Sequence, residues 1–164
     1  MSQLHHLELT AAAGPLESVA RELRDVAVGA GLVVSATEPP GRPVDAVLTL
    51  RSGLWASVSP PIHSGPDPFI ADFGVARAST VDLQTNATRP IGPQIDDLLD
   101  IVLELLDRLP GDAVLHYGYS EVWLVRRDGR LLLSDSDDIW RLDRLARFPG
   151  PYERVPLRFA DSSA

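Results

Sequence analysis

Few residues in this chain could do chemistry. Four imidazoles, His5, His6, His63 and His116, are present, the one side-chain type whose charge ordinarily changes between pH 5 and 8. No two have the i, i+4 spacing with an intervening glutamate that a helical zinc site needs. His116 stands inside an apolar run beside Tyr117 and reads as a sheet residue with its hydrogen bonds met. Ala71-Asp-Phe-Gly-Val-Ala-Arg77 has the letters of a kinase magnesium loop. It lacks the context: no lysine, no His-Arg-Asp loop and no upstream glycine-rich loop. It reads instead as a structural loop whose Phe73 packs on the core. Asp135, Asp137 and Asp138 begin like a calcium loop. Ile139 and Trp140 then occupy places where oxygen ligands and a glycine are required, so a helix cap is the better reading. Ser134 and Ser136 sit in no nucleophile elbow.

Composition removes further classes. There is no cysteine, hence no thiol nucleophile and no thiolate metal site. All fifteen basic residues are arginine, which excludes a P-loop lysine and a Schiff-base lysine. No catalytic residue, metal or cofactor is therefore expected. The net charge of −8 argues against a nucleic-acid partner, since phosphate contacts want a basic patch. It suits solubility, or steering toward a basic protein. No apolar run reaches the length of a membrane span, and Met1-Ser-Gln-Leu-His-His lacks the basic start and apolar core of a secretory signal. A cytoplasmic protein is expected.

These residues must be carried by regular elements. Ile95, Leu98, Leu99, Val102, Leu105, Leu106 and Leu109 recur at steps of three and four, one face of a helix. Gly92-Pro93 fits its start, with Asp96 and Asp97 in the first turn, and Pro110-Gly111 stops it. Asp97, Asp100, Glu104 and Asp107 fall on the opposite face as an acidic ridge. That ridge and Asp135, Asp137 and Asp138 are the charged surfaces available to a partner. Solvation and capping are the plainer readings of each residue. Asp112 to Tyr119 reads as a strand. Residues 121–127 and 130–134 flank Asp128-Gly129, a hairpin signal because a type I′ turn needs positive φ at both central positions. A short helix is expected over about Asp137 to Arg147.

Earlier in the chain, Leu7, Leu9 and Ala11 alternate with His6, Glu8 and Thr10, a half-buried strand. A helix follows Gly14-Pro15, and Leu32 to Ala36 suits a short strand. Thr37 to Pro43 is a loop. Val44 to Leu50 and Leu54 to Ser59 read as a hairpin about Ser52-Gly53, the alternative being one long strand kinked there, and Thr80 to Thr85 reads as a strand. Residues 59–78, with four prolines, form the longest irregular segment expected. The fold class is α+β: a mostly antiparallel sheet, two main amphipathic helices packed on one face, and a short third helix near the C-terminus. One domain of residues 1–164 is expected, with the Pro-rich loop at 59–78.

Several ordered features carry a family resemblance. They are Gly74-Val-Ala-Arg-Ala-Ser-Thr-Val-Asp-Leu83, Gly111-Asp-Ala-Val-Leu115, Glu121-Val-Trp-Leu-Val-Arg-Arg-Asp-Gly129, Leu131 to Leu133, Trp140 and Pro151-Tyr152. Over about residues 70–155 the chain resembles the immunity proteins paired with swarming-inhibition toxins, the third type of that group. Strand 80–85, with Asp82 and Gln84, departs from the more aromatic and basic pattern expected there. The resemblance implies a bacterial cytoplasmic non-enzyme that binds a cognate, contact-delivered toxin domain and neutralises it in a stoichiometric complex. Two other readings are open: a small enzyme or ligand-binding domain with a pocket near loop 59–78, and a general protein-interaction module.

Overall fold

The computed structural model describes residues 1–37, 46–62, 65–148 and 150–160. Its frame is a nine-stranded sheet in the order β2-β3-β4-β5-β1-β6-β7-β8-β9. The strands are β1 (Leu4–Thr10), β2 (Val33–Thr37), β3 (Val47–Leu50), β4 (Trp55–Ser59), β5 (Arg77–Gln84), β6 (Ala113–Tyr117), β7 (Glu121–Arg127), β8 (Arg130–Ser134) and β9 (Glu153–Val155). Every pairing is antiparallel except β8 with β9. The fold is thus α+β with a mostly antiparallel sheet, as the alternating strands and short turns imply. The hairpin about Ser52-Gly53 forms, with Leu48 opposite Ala56. Val44 and Asp45, the start expected for its first strand, lie outside the described residues, as does nearly all of the loop 37–43.

Two long helices, α1 (Leu16–Gly29) and α3 (Ile91–Arg108), lie on one face. Between them and the sheet sits the main core, holding Leu98, Leu99, Val102, Leu105, Leu106 and Leu124 together as the helical stripe predicts. The start of α3 differs from expectation. It begins at Ile91, so no acid falls in its first turn, and Asp96 and Asp97 sit one turn later. The fully buried Gln94 binds this end in place: its amide accepts from Asn86 N–H and donates to the carbonyls of Asn86, Arg89 and Pro90. At the other end the Arg126 guanidinium donates to the carbonyls of Leu106, Leu109 and Gly111. A cation there satisfies orphan acceptors and meets the negative end of the helix dipole.

The opposite face is also covered in part. Within the stretch expected to be irregular lies a third helix, α2 (Pro68–Phe73), capped by the Asp67 carboxylate on the Phe69 N–H and closed by Gly74 at φ 64°. The kinase-like letters are thus the end of this helix: Phe73 packs on a second core with Phe69, Val75, Val114, Val122, Val125 and Phe159, and the Asp72 carboxylate accepts the Ala160 N–H. The short C-terminal helix α4 is only Leu142–Leu145, and its N-cap position is Arg141 with no side-chain cap bond. Asp135, Asp137 and Asp138 therefore do not cap it. Trp140 causes this. Its buried indole donates to the Trp123 carbonyl, and seating that ring and Ile139 in the core places a turn at residues 136–140, closed by the Trp140 N–H on the Ser136 carbonyl, ahead of the helix.

Candidate functional site

β1 is the fifth of nine strands, and its residues 5–9 are buried on both faces. Period-two alternation sends Leu7 and Leu9 into the main core and His6 and Glu8 into the second face. Those two residues were expected to face water; α2 and the C-terminal segment cover them instead. Glu8 is fully buried and cannot stay charged without partners. It has three: Thr80 Oγ1 donates at 2.5 Å, Arg77 Nη1 at 3.3 Å and His116 Nε2 at 3.1 Å. Arg77 also donates to Asp67 at 3.1 Å and lies 4.4 Å over the Phe69 ring. One chain of charges thus runs from β1 through β5 to the cap and first turn of α2.

His116 holds one tautomer by its surroundings. Its Nε2–H donates to Glu8 while Nδ1 accepts the Tyr119 N–H at 3.3 Å. Burial lowers its imidazole below the ordinary range against the pull of Glu8, and His6 and Arg77 add to the drop. It is the satisfied sheet residue that the sequence implies. His6 stacks on it at 4.9 Å and binds Asp82 through Nδ1 at 2.8 Å, while Ser59 donates to the other Asp82 oxygen at 2.6 Å. These are the residue types of a hydrolase triad in the wrong order. Asp82 lies between hydroxyl and imidazole, whereas activating a nucleophile needs the imidazole between them. Among the described residues no group of three or more His, Asp or Glu side chains is arranged to hold a metal.

Beside this network the second face opens. Val47, Thr49, Trp55, Ser57, Asp82 and Gln84 share one side of β3, β4 and β5 by register. All are half-buried or exposed, and α2 does not extend over them. Ile62 and Ile70 are exposed at the border with α2, and Tyr119 stands exposed over His116 at φ 60°. That φ is unusual for an aromatic residue and costs about 1–2 kcal/mol. Trp123 and Trp140 are core residues; Trp55 alone of the three tryptophans is half-exposed.

The residues picked out for charge occupy the α1/α3 side. Asp97 is half-buried; burial raises its carboxyl above the usual range against the pull of Ser52, and Asp100 and Asp96 add to the rise. Asp100 pairs with Arg147 and Glu104 with Arg108. Asp100, Glu104 and Asp107 line a groove of about 820 Å³ between α1, α3 and the β7–β8 hairpin. Arg108, Arg126 and Arg147 line it too, so its charges balance and it has no marked sign. Asp137 pairs with Arg154. Among the described residues Asp107, Asp135 and Asp138 have no ion pair. The network of Glu8, Arg77, Asp67 and Asp82 was not foreseen from sequence, because its members lie far apart in the chain and only the strand order assembles them.

Neither the search of curated proteins nor that of solved structures found a match for this chain. A family model, described as SitI3-like, matches residues 6–144. It reaches back beyond the resemblance over about 70–155, through the first helix to β1, and ends before Pro151-Tyr152. The chain belongs to the SitI3-like family, whose group are swarming-inhibition immunity proteins.

Proposed function

We propose that the chain is an immunity protein which binds a cognate, contact-delivered toxin domain in the cytoplasm and neutralises it in a one-to-one complex, without turnover. The observation that carries this reading is the family match over residues 6–144. Two features support it. The buried polar groups that look most like chemistry spend their hydrogen bonds on one another and hold α2 to the sheet. The net charge of −8 would draw in a basic partner and raise its association rate. Asp97, Asp100, Glu104 and Asp107 contribute to that field; with Asp100 and Glu104 already paired, their role is steering more than contact. No described helix is long and apolar enough to cross a membrane.

The test is co-expression with the toxin domain encoded beside this chain. Living cells and a one-to-one complex on a sizing column are the expected result. Cell death in the presence of folded immunity protein, with no complex formed, overturns the reading.

A further inference from the structure

We propose that the open half of the second sheet face, from Val47 and Trp55 across Asp82 to Ile62 and Tyr119, is the surface that receives the toxin, and that the toxin presents there a basic side chain flanked by apolar ones. This rests on the immunity reading and adds the surface and the chemistry of its partner. Charge comes first. Arg77 is paired with Glu8 and Asp67 in the adjoining network, and Asp82 with His6. Glu8 and Asp67 are shut away, whereas the Asp82 side chain is 22% exposed. The carboxylate that reaches the surface here is therefore Asp82. Among the described residues no arginine is ion-paired to that carboxylate; His6 and Ser59 hold it in place. A fixed carboxylate whose hydrogen bonds are already set meets an incoming cation with little reorganisation.

The apolar rim comes second. Ile62 is 81% exposed, Tyr119 46% and Val47 39%. Exposed aromatic and aliphatic side chains around a fixed charge are the composition of a binding hot spot. Tyr119 is held in place despite its unfavourable φ: its N–H donates to His116, and its ring packs 4.7 Å from that imidazole and 6.0 Å from the Phe69 ring. Such an anchor loses little freedom on binding. The α1/α3 groove offers no comparable sign, since its carboxylates and guanidiniums balance.

The test uses the full chain and an inactivated form of the toxin domain encoded beside it. Val47→Arg with Ile62→Arg places two cations on the face without touching a buried side chain. The expected result is a loss of affinity of about 100-fold or more through like-charge repulsion, with unchanged thermal unfolding. Leu142→Arg, at a position 86% exposed on α4 and on the other side of the sheet, should bind as wild type does. Hydrogen exchange on the wild-type complex provides a second readout should the double variant fold poorly: protection is expected over residues 47–59 and 117–121. Wild-type affinity in the double variant, or protection confined to α1 and α3, overturns the surface and leaves the immunity reading standing. No binding by wild type overturns both.

Discussion

At the scale of single residues, the buried charges decide the most. Glu8 and Arg77 have side chains 0% and 1% exposed, so removing one strands the other. Glu8→Ala should lower stability by about 3–5 kcal/mol, read as a shift of the urea midpoint at constant slope. An unshifted midpoint would mean that the network contributes nothing net. His5 makes a second case. Burial brings its imidazole from 6.5 down to about 4, and His6, His116 and Arg144 push the same way. The unfolded chain therefore binds a proton that the folded chain refuses. Stability from this group is full above about pH 6.5 and declines as pH falls toward 4, by at most about 3 kcal/mol. His116, also lowered by burial, acts in the same direction. Replacing His5 by Phe should flatten the pH dependence of the melting temperature over that window; an unchanged slope would remove His5 as its source.

At the scale of elements, α3 and the β7–β8 hairpin dominate. Leu105 is fully buried in mid-stripe. Leu105→Ala leaves a cavity between helix and sheet and should cost about 2–5 kcal/mol; a variant that melts like wild type would contradict that packing. Asp128 and Gly129 both adopt positive φ, 50° and 77°. A β-branched side chain resists that region, so Gly129→Val should loosen the hairpin although nothing stands within 4 Å of an added Cβ. Faster amide exchange over residues 121–134 is the expected sign. Unaltered exchange there would show that the turn tolerates the substitution by changing type.

At the scale of the whole molecule, charge and layering act together. Neutralising Asp97, Asp100, Glu104 and Asp107 removes half of the net −8. The proposed consequence is slower toxin association with a weaker salt dependence and a nearly unchanged dissociation rate. Stopped-flow rates at two ionic strengths check it; an equal rise in dissociation would place the ridge inside the interface. Both ends of the sheet are guarded against unplanned pairing. β2 carries a register irregularity between Val33 and Ser35, and β9 is three residues long between Pro151 and Pro156. Edges managed in this way are poor templates for pairing with another chain.

Sequence by itself determined the features that depend on near neighbours. The stripe from Ile95 to Leu109 specifies α3 because side chains three and four apart share a face whatever surrounds them. Asp128-Gly129 specifies the tight turn because so few residues tolerate positive φ. Tertiary structure alone decided which alternating strand is covered on both faces. His6 and Glu8 have the pattern of a solvated face, and only the central position of β1 and the packing of α2 bury them. The same distance in sequence hides α2 among the prolines, since six residues between Asp67 and Gly74 become a helix worth forming when Phe69 and Phe73 have a sheet to pack on. The helix expected from Asp137 is likewise only Leu142–Leu145, since Ile139 and Trp140 ahead of it are buried in the core. Burial, and hence which charges meet, is a property of chain crossings that no local pattern records.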